Sequence, residues 1–291
     1  MKKVLKWIGI VLGGLIVLLI VAIIGVSIAG NAKLKQTRDV QVESITIPTD
    51  EAALARGAHL VDVLCKDCHG TDLSGFLLVD DPALATLYGV NITGLAESHS
   101  DTDLVRAIRH GLDTDGRQLL VMPSEAFIYF SKEDLGAIIA HLKTLPRTGD
   151  DMPLPKLGPV GRILMGVGAL DVLFSAGYID HSLPFPAMPE VSANAEYGEY
   201  LSRFCQGCHG ADLAGGQPPE PGSMPAPDLT PAGRMPLYSE ADFLTAFRTG
   251  ATPYGTKLDP AMPWESFGKF DDDELKALYM YLGSLPPSEP Q

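Results

Sequence analysis

The pentapeptide Cys65-Lys66-Asp67-Cys68-His69 recurs 140 residues later as Cys205-Gln206-Gly207-Cys208-His209. A Cys-x-x-Cys-His run is typical of the attachment site of c-type haem, where two thiols bond to the porphyrin edge and the histidine ligates the iron. The chain of 291 residues has four cysteines, and the two motifs use all of them. The sequence therefore predicts two covalently bound haem c groups, attached through Cys65, Cys68, Cys205 and Cys208 and ligated by His69 and His209.

A Cys-x-x-Cys pair also occurs in zinc sites and in redox dithiols. A zinc site would need further histidines or cysteines at close spacing, and neither copy offers them. A redox dithiol is expected in a βαβ context, which the sequence pattern lacks. Because no cysteine is left over, a disulfide and a thiol nucleophile are excluded as well.

Each copy also offers a methionine for the second axial position of its iron. Met122-Pro123 lies 53 residues after His69, and Met262-Pro263 lies 53 residues after His209. Methionine opposite histidine gives a cytochrome c type of site with a raised potential. The chain has nine methionines, so the agreement between the copies carries this assignment. The alternative is that both side chains fill the core, as most methionines do.

The repeat extends beyond the ligands and predicts helices at matched positions. Residues 51–64 and 196–204 run as helices directly into the cysteines, and apolar residues at helical spacing predict closing helices over 135–145 and 275–285. Capping signals precede the middle and closing helices, at Ser100, Ser131, Ser239 and Asp271. No long alternating strand pattern is present, so both modules are predicted to be all-α.

Two further pairs of residues match between the copies. Gly57 and Gly198 lie inside the first helices, where glycine costs ~1 kcal/mol relative to alanine. We expect them to allow close approach of the closing helix. Arg109 and Arg248 are candidates for pairing with haem propionates, and a surface salt bridge is the equal alternative.

These residues resemble class I cytochrome c domains: an N-terminal helix, Cys-x-x-Cys-His, a Met-Pro loop and a C-terminal helix ending near Leu-Pro. The resemblance covers residues 50–147 and 191–287. It implies an all-α chain in which two class I cytochrome c domains are joined by a proline-rich connector. More narrowly, the chain looks like membrane-anchored di-haem cytochromes c of bacterial respiratory chains, and is similar to cytochrome subunits of membrane-bound alcohol and gluconate dehydrogenases.

That resemblance implies electron transfer without a catalytic residue. Single electrons would pass from a quinol-oxidising complex or dehydrogenase to a soluble cytochrome or other carrier, or to a terminal oxidase. One alternative is a di-haem redox enzyme of the peroxidase or thiosulfate-oxidising type, which would need an iron with a displaceable ligand. The other is an obligate cytochrome subunit of a larger oxidase or dehydrogenase complex.

The first 38 residues predict a membrane anchor with its flanks. Residues 8–29 contain no charged side chain, and their 22 residues would span ~33 Å as a helix, enough for a bilayer core. A cleaved signal peptide, the alternative, has a shorter apolar region and a better cleavage site than residues 29–32. Since c-type haem is attached outside the cytoplasm in bacteria, the resemblance implies a single-pass protein of the bacterial cytoplasmic membrane, with its haem domains on the periplasmic side.

The charge of the remaining chain is strongly negative. Residues 1–38 hold six of the 22 basic side chains and no acidic one, so 16 basic and 36 acidic side chains leave the rest at −20. This disfavours nucleic acid as a partner and permits steering of a basic protein partner. An acidic surface that only keeps the protein soluble is the equal alternative.

The connector, residues 148–190, has prolines on both sides of a nearly apolar stretch from 163 to 174. We expect that stretch to be a helix packed between the modules. An exposed patch that docks on a membrane subunit is a second interpretation, and a loose linker is disfavoured by the apolar centre. A smaller proline-rich segment, residues 217–227, predicts an irregular loop near the second haem.

Overall fold

The structure, a computed structural model, describes residues 2–216 and 224–288, so most of the proline-rich loop predicted over 217–227 lies outside the described residues. The helices are α1 (Lys2–Lys33), α2 (Glu51–Leu64), α3 (Lys66–His69), α4 (Leu95–Ser98), α5 (Asp101–His110), α6 (Ser124–Phe127), α7 (Lys132–Thr144), α8 (Pro159–Gly166), α9 (Ala195–Ser202), α10 (Gln206–His209), α11 (Glu240–Thr249), α12 (Trp264–Phe267) and α13 (Asp272–Ser284). The strands are β1 (Phe76–Asp81), β2 (Ala85–Gly89) and β3 (Lys156–Leu157).

Each module is built on a close pair formed by its first and closing helices. In the N-terminal module α2 packs on α7, and a Cβ atom on Gly57 would lie 1.9 Å from the carbonyl oxygen of Ala137. In the C-terminal module α9 packs on α13, and a Cβ atom on Gly198 would lie 1.9 Å from the carbonyl oxygen of Ala277. No side chain fits at either crossing, so the expectation for these glycines is confirmed.

The four predicted capping signals are confirmed, and they fix where the middle and closing helices begin. Each side chain accepts a hydrogen bond from the backbone three residues on, which satisfies one N–H that the first helical turn leaves unpaired. Leu60 and Leu135 are fully buried in the N-terminal core. Leu201 and Leu275 are fully buried in the C-terminal core.

The prediction of an all-α fold is wrong for the N-terminal module. Strands β1 and β2 form an antiparallel hairpin, and β3 from the connector adds to β2, giving the order β1-β2-β3. Asp81 Oδ1 accepts hydrogen bonds from the amides of Ala83 and Leu84 and so fixes the hairpin turn. The strands are short and irregular, with a register shift between Leu77 and Val79, so they leave no long alternating pattern in the sequence.

A buried polar network joins the modules. Glu274, fully buried on α13, accepts hydrogen bonds from Arg56 Nη1 at 2.7 Å and from the Tyr197 hydroxyl at 2.9 Å. Arg56 also donates to both carboxylate oxygens of Asp134 at 2.9 Å each. Arg56 and Asp134 belong to the N-terminal module, whereas Tyr197 and Glu274 belong to the C-terminal one. The interface is therefore specified by paired buried charges as well as by apolar contacts.

The apolar stretch of the connector does not pack between the modules, so that expectation is wrong. It begins with α8, which packs along the end of α1, and it continues over Met165 and Phe174 into a small core with the sheet. The gap between the modules is crossed later, where Phe185 packs on the N-terminal core and Met188 on the C-terminal core. The sequence left open whether the stretch would pack between the modules or stay exposed, and in the structure part of it is buried and Val167 is exposed.

Helix α1 is the one helix of the described chain that is long and apolar enough to cross a membrane by length and composition. Its side chains are exposed along most of its length, and its buried residue, Gly30, lies near its C-terminal end. A Cβ atom on Gly30 would lie 2.0 Å from the carbonyl oxygen of Arg162 in α8. The end of α1 is thus part of the folded body of the protein.

Candidate haem sites

Both Cys-x-x-Cys-His motifs form a single helical turn directly after the first helix of their module. His69 N donates to Cys65 O at 2.9 Å, and His209 N donates to Cys205 O at 2.9 Å. Residues i and i+4 of a helix share a face, so each histidine lies on the same side as its first cysteine. The turn ends at Gly70 and Gly210, both at positive φ. This is the arrangement that a haem bound at one face of the turn requires.

The backbone after each motif is also repeated. Leu73 and Leu213 have φ values of 64° and 60°, which is uncommon for residues with a branched side chain. Gly75 N donates to His69 O at 2.9 Å, and the matching bond from Gly215 to the second histidine is 3.0 Å. Both leucines are buried in the core of their module. Both copies carry Asp-Leu, at 72–73 and 212–213, and a glycine two residues later, at 75 and 215, so these matched residues form the same tight loop after each histidine.

The two histidines are oriented alike. His69 Nδ1 lies 2.7 Å from the carbonyl oxygen of Val90, and His209 Nδ1 lies 2.8 Å from that of Pro227. A Nδ1–H donor to a carbonyl fixes the tautomer that leaves Nε2 unprotonated, as a metal ligand requires. Burial lowers the pKa of both imidazoles, which keeps the rings neutral. The residues present thus fit a haem iron bound at Nε2.

The cysteines do not have the properties of a reactive dithiol. All four are unbridged thiols, and burial raises the pKa of Cys65 and of Cys205 to about 12. A redox-active Cys-x-x-Cys motif lowers a thiol pKa instead. Within residues 2–216 and 224–288, no group of three or more His, Cys, Asp or Glu side chains is placed to hold a metal ion. Both observations favour covalent haem attachment over the zinc and dithiol alternatives.

The two Met-Pro segments adopt the same local structure. Pro123 and Pro263 have φ values of −81° and −77°, and each precedes a four-residue helix, α6 or α12. The amide two residues after each methionine bonds back to its carbonyl oxygen, at 2.8 Å for Met122 and 2.7 Å for Met262. Both methionines are half-buried. Met122 and Cys65 pack against the same N-terminal core, so the structure brings these two predicted site residues onto one cluster.

The N-terminal Met-Pro loop is held by the connector. Val121 has a φ of 67°, a strained value for a β-branched residue, and its amide donates to Leu173 O at 2.8 Å. Ser175 Oγ lies 2.5 Å from the carbonyl oxygen of Met122 and 2.5 Å from a carboxylate oxygen of Glu125. The C-terminal loop is closed differently, by Met262 N and Ala261 N bonding to Asp259. The two sites therefore differ in how the methionine backbone is restrained.

The matched arginines bind backbone carbonyls rather than standing free for propionates. Arg109 is fully buried and donates to Ile128 O, and Arg248 donates to Gly268 O, the equivalent carbonyl after the second Met-Pro loop. Arg248 also pairs with Asp272 at 2.7 Å, as the salt-bridge alternative expected. The structure gives both arginines the role of fixing the end of the Met-Pro loop.

Sequence reasoning missed the groups that orient the ligands. The carbonyls of Val90 and Pro227 lie 21 and 18 residues after their histidines, so the loops differ in length and leave no repeat signal. A carbonyl is moreover present at every position, so residue type carries no information. The network around Glu274 was also missed, because the capping position of Glu274 accounted for it locally.

Comparison with known proteins agrees with this geometry. Residues 195–286 match the cytochrome c family. The alcohol dehydrogenase (quinone) cytochrome c subunit of Gluconacetobacter polyoxogenes is 27% identical over 295 residues, covering 90% of this chain and 60% of that protein. The gluconate 2-dehydrogenase cytochrome c subunit of Pantoea cypripedii is 36% identical over 113 residues, covering 34% of this chain and 26% of that protein.

The fructose dehydrogenase cytochrome subunit of Gluconobacter japonicus is 26% identical over 281 residues, covering 83% of this chain and 55% of that protein. The chain thus spans a little over half the length of the relatives that it matches along most of its own length. All three are named as cytochrome subunits, which agrees with the cytochrome c match of residues 195–286. The chain therefore contains a cytochrome c domain and is related to the cytochrome c subunits of alcohol, gluconate and fructose dehydrogenases.

Proposed function

We propose that this chain is a membrane-anchored di-haem cytochrome c that transfers single electrons as a subunit of a dehydrogenase complex. Residues 50–147 form the first cytochrome c domain and residues 191–287 the second. The observation that carries the proposal is the matched pair of sites, each with a carbonyl-oriented histidine and a Met-Pro loop. The groups that hold the haems are Cys65, Cys68, His69 and Met122 in the first domain, and Cys205, Cys208, His209 and Met262 in the second.

The protein contributes attachment, orientation and exclusion of water. Haem c supplies the one-electron change at its iron. The four cysteines would hold the porphyrin edges, the carbonyls of Val90 and Pro227 hold the histidine rings, and Met122 and Met262 would offer thioethers to the irons. If Met122 and Met262 each bind an iron, neither haem would have an open position for peroxide or a sulfur anion. This favours electron transfer over a peroxidase or thiosulfate-oxidising reaction.

Contacts between the modules support passage of electrons within one chain. Helix α6, which follows Met122, contacts α10 of the second motif, and the charge of Glu125 adds to the burial that raises the pKa of the Cys208 thiol. Phe204, next to the second motif, packs 5.4 Å from the ring of Phe130. The loop of the first methionine thus borders the second attachment site. A rigid interface of this kind keeps the separation of the two sites constant.

Helix α1 is proposed to anchor the protein, with the haem domains on the periplasmic face. Its final turns pack against α8, and Lys33 pairs with Asp171 at 2.6 Å. Cleavage near residue 32 would remove that packing surface, which argues against a signal peptide. The partner is proposed to be a dehydrogenase because the relatives are named as subunits of dehydrogenases. The electron acceptor is proposed to be a soluble cytochrome or other carrier, or a terminal oxidase.

Haem content and co-purification test the proposal. Pyridine haemochrome analysis and a haem-stained denaturing gel should give two covalent haems per chain. Replacing Cys65 and Cys68 by alanine should leave one, and replacing Cys205 and Cys208 should leave the other. Purification from native membranes should bring a dehydrogenase subunit with the chain. Haem that is extracted by acid and acetone refutes the attachment sites, and a chain that purifies alone with full haem refutes only the subunit assignment.

A further inference from the structure

The connector turns back beside the membrane helix and carries an apolar tip. We define the connector tip as residues 163–170, Ile-Leu-Met-Gly-Val-Gly-Ala-Leu, which contain no charged or hydrogen-bonding side chain. Helix α8 leads into it, and the 3₁₀ turn Asp171–Leu173 follows it. Val167 is 62% exposed and Ala169 is exposed, although both lie in an apolar run. An apolar tip of this kind is unusual for a surface in contact with water.

The contacts between α1 and α8 set the level of the tip along the membrane helix. A Cβ atom on Gly30 would lie 2.0 Å from Arg162 O, and a Cβ atom on Gly166 would lie 2.1 Å from Val26 O. The two helices therefore run antiparallel, and the chain descends along α1 from Arg162 to Gly166. It returns at Asp171, which pairs with Lys33 at 2.6 Å. The deepest point of the connector is thus next to Val26.

That level lies inside the apolar span. The uncharged segment of α1 ends at Ala29, so Val26 is about 4.5 Å within it at a rise of ~1.5 Å per residue. Helices that lie in a membrane interface bury their apolar face by ~5–10 Å, which is the same range. The backbone of Arg162 and of Lys33 lies at or beyond the end of the span, where lipid headgroups would be. The Lys33 ammonium reaches back to 3.9 Å from a Cβ position on Gly168, so the headgroup level borders the tip. The depth, the composition and the charges of the connector agree.

Two other faces of α8 pack against the hairpin turn and the sheet. Gly161 faces the hairpin turn, with Leu84 O 1.9 Å from a Cβ position, and Met165 is fully buried against the sheet. The outward residues are mostly apolar, since Val160 is 48% exposed and Ile163 and Leu164 are partly exposed. The charged residue among them, Arg162, is exposed and lies at the level of Gly30 on α1. Exposed apolar residues that follow a basic side chain at the edge of the span are the arrangement expected of a helix end that lies in a membrane interface.

We propose that the connector tip inserts into the bilayer that holds α1, in the leaflet on the side of the haem modules, with lipid acyl chains against Val167. The proposal rests on the membrane anchor proposed above. It gives the haem modules a second point of attachment to the membrane, which fixes their rotation about α1. The 3₁₀ turns Asp171–Leu173 and Ser175–Gly177 follow the tip and hold the Met122 loop through Leu173 and Ser175, so the candidate site at Met122 is connected directly to the tip.

Site-directed spin labelling of the full-length, haem-loaded protein tests this. With four cysteines bound to haem, a single introduced cysteine is the one free thiol. Labels are placed at Val167→Cys in the tip, Val191→Cys as a matched exposed valine beyond it, and Ile24→Cys within α1. The protein is reconstituted in vesicles of phosphatidylcholine and phosphatidylglycerol with oxidised haems, and each collision rate is taken relative to the same sample under nitrogen. Collision rates are measured with oxygen, which concentrates in lipid, and with a water-soluble nickel chelate.

The ratio of oxygen to chelate collisions at position 167 should approach that at position 24 and exceed that at position 191 several-fold. If position 24 is in lipid but position 167 behaves like position 191, the tip proposal is overturned and the anchor stands. If positions 24 and 167 both contact the chelate, the anchor itself is overturned. Low collision with both reagents at 167 would mean that protein covers the tip, which also refutes lipid contact.

Discussion

Replacement of Glu274 by glutamine should weaken the interface between the two modules. The carboxylate is fully buried and accepts hydrogen bonds from Arg56 at 2.7 Å, from His59 at 2.6 Å and from the Tyr197 hydroxyl at 2.9 Å. Glutamine has the same shape, but it replaces one acceptor oxygen by an amide group that is itself a donor. The N–H donors of that group would point at the donors of Arg56 or His59, so one hydrogen bond would be lost. Asp134 would then be the remaining carboxylate beside Arg56.

The pKa of Glu274 gives the size of the effect. Burial alone would raise the pKa of this carboxyl, but the hydrogen bond and charge of His59, together with Arg56, outweigh it and hold the pKa at about 2 against an ordinary 4.5. A difference of about 2.5 units corresponds to about 3 kcal/mol at ~1.4 kcal/mol per unit. Removing one partner of a buried ion pair costs roughly 3–5 kcal/mol in other proteins, which is consistent. We therefore expect Glu274→Gln to lower the free energy of unfolding by about 3 kcal/mol at neutral pH.

The loss should depend on pH. Because the folded pKa is depressed, the contribution of Glu274 is complete above the ordinary value of 4.5 and disappears as pH falls towards 2. At pH 3 it should have fallen to about 1 kcal/mol. His59 acts in the opposite sense: its hydrogen bond to Glu274 raises its pKa, so its contribution is complete below the ordinary 6.5 and is lost as pH rises through the folded pKa. The interface should be most stable between these two values.

Urea unfolding of the detergent-solubilised protein, followed by far-ultraviolet circular dichroism, measures the effect. The matched control is Glu133→Gln, because Glu133 is exposed on α7 beside the buried Asp134. We expect the control to change stability by less than ~1 kcal/mol, as surface charges usually do. Equal losses for the two variants, or a loss for Glu274→Gln that is the same at pH 7 and pH 3, would refute the reasoning.

Three further outcomes are expected. Gly198→Val should lower the thermal midpoint of the C-terminal module markedly, because its Cβ would lie 1.9 Å from a facing carbonyl oxygen. The control Gly207→Ala should be tolerated, because a Cβ there meets nothing within 4 Å. Similar midpoints for the two variants would contradict the close helix crossing. Ser175→Ala should make the methionine ligand of one haem easier to displace at high pH, because the Met122 loop loses its hydrogen bond to Ser175. The sulfur-to-iron charge-transfer band of that haem should then disappear at a lower pH than in the unchanged protein. An unchanged optical pH titration would count against a restraining role for Ser175. Met122→Ala and Met262→Ala should each lower one midpoint potential and admit carbon monoxide to one iron, and a variant with both potentials unchanged would exclude that methionine as a ligand.

The sequence by itself determined the parts of this protein that depend on local chemistry. Each haem motif is five consecutive residues, so its chemistry does not depend on the rest of the chain. Helix starts at Ser100 and Ser239 follow from side chains three residues apart, and the apolar segment of α1 is visible as composition. The exact repeat of 53 residues between histidine and methionine made Met122 and Met262 candidates without any structure.

Only the tertiary structure decided which surfaces meet. Glu274 looks like a helix cap in the sequence, but its main partners lie 218 and 215 residues away at Arg56 and His59. From the sequence, the apolar connector could have packed between the modules or stayed exposed; in the structure it lies beside α1, where Gly30 leaves room for the backbone of Arg162. The sheet escaped prediction because its strands are short and one belongs to the connector. Long-range pairing of this kind depends on where the chain returns in space, and neither residue type nor periodicity records that.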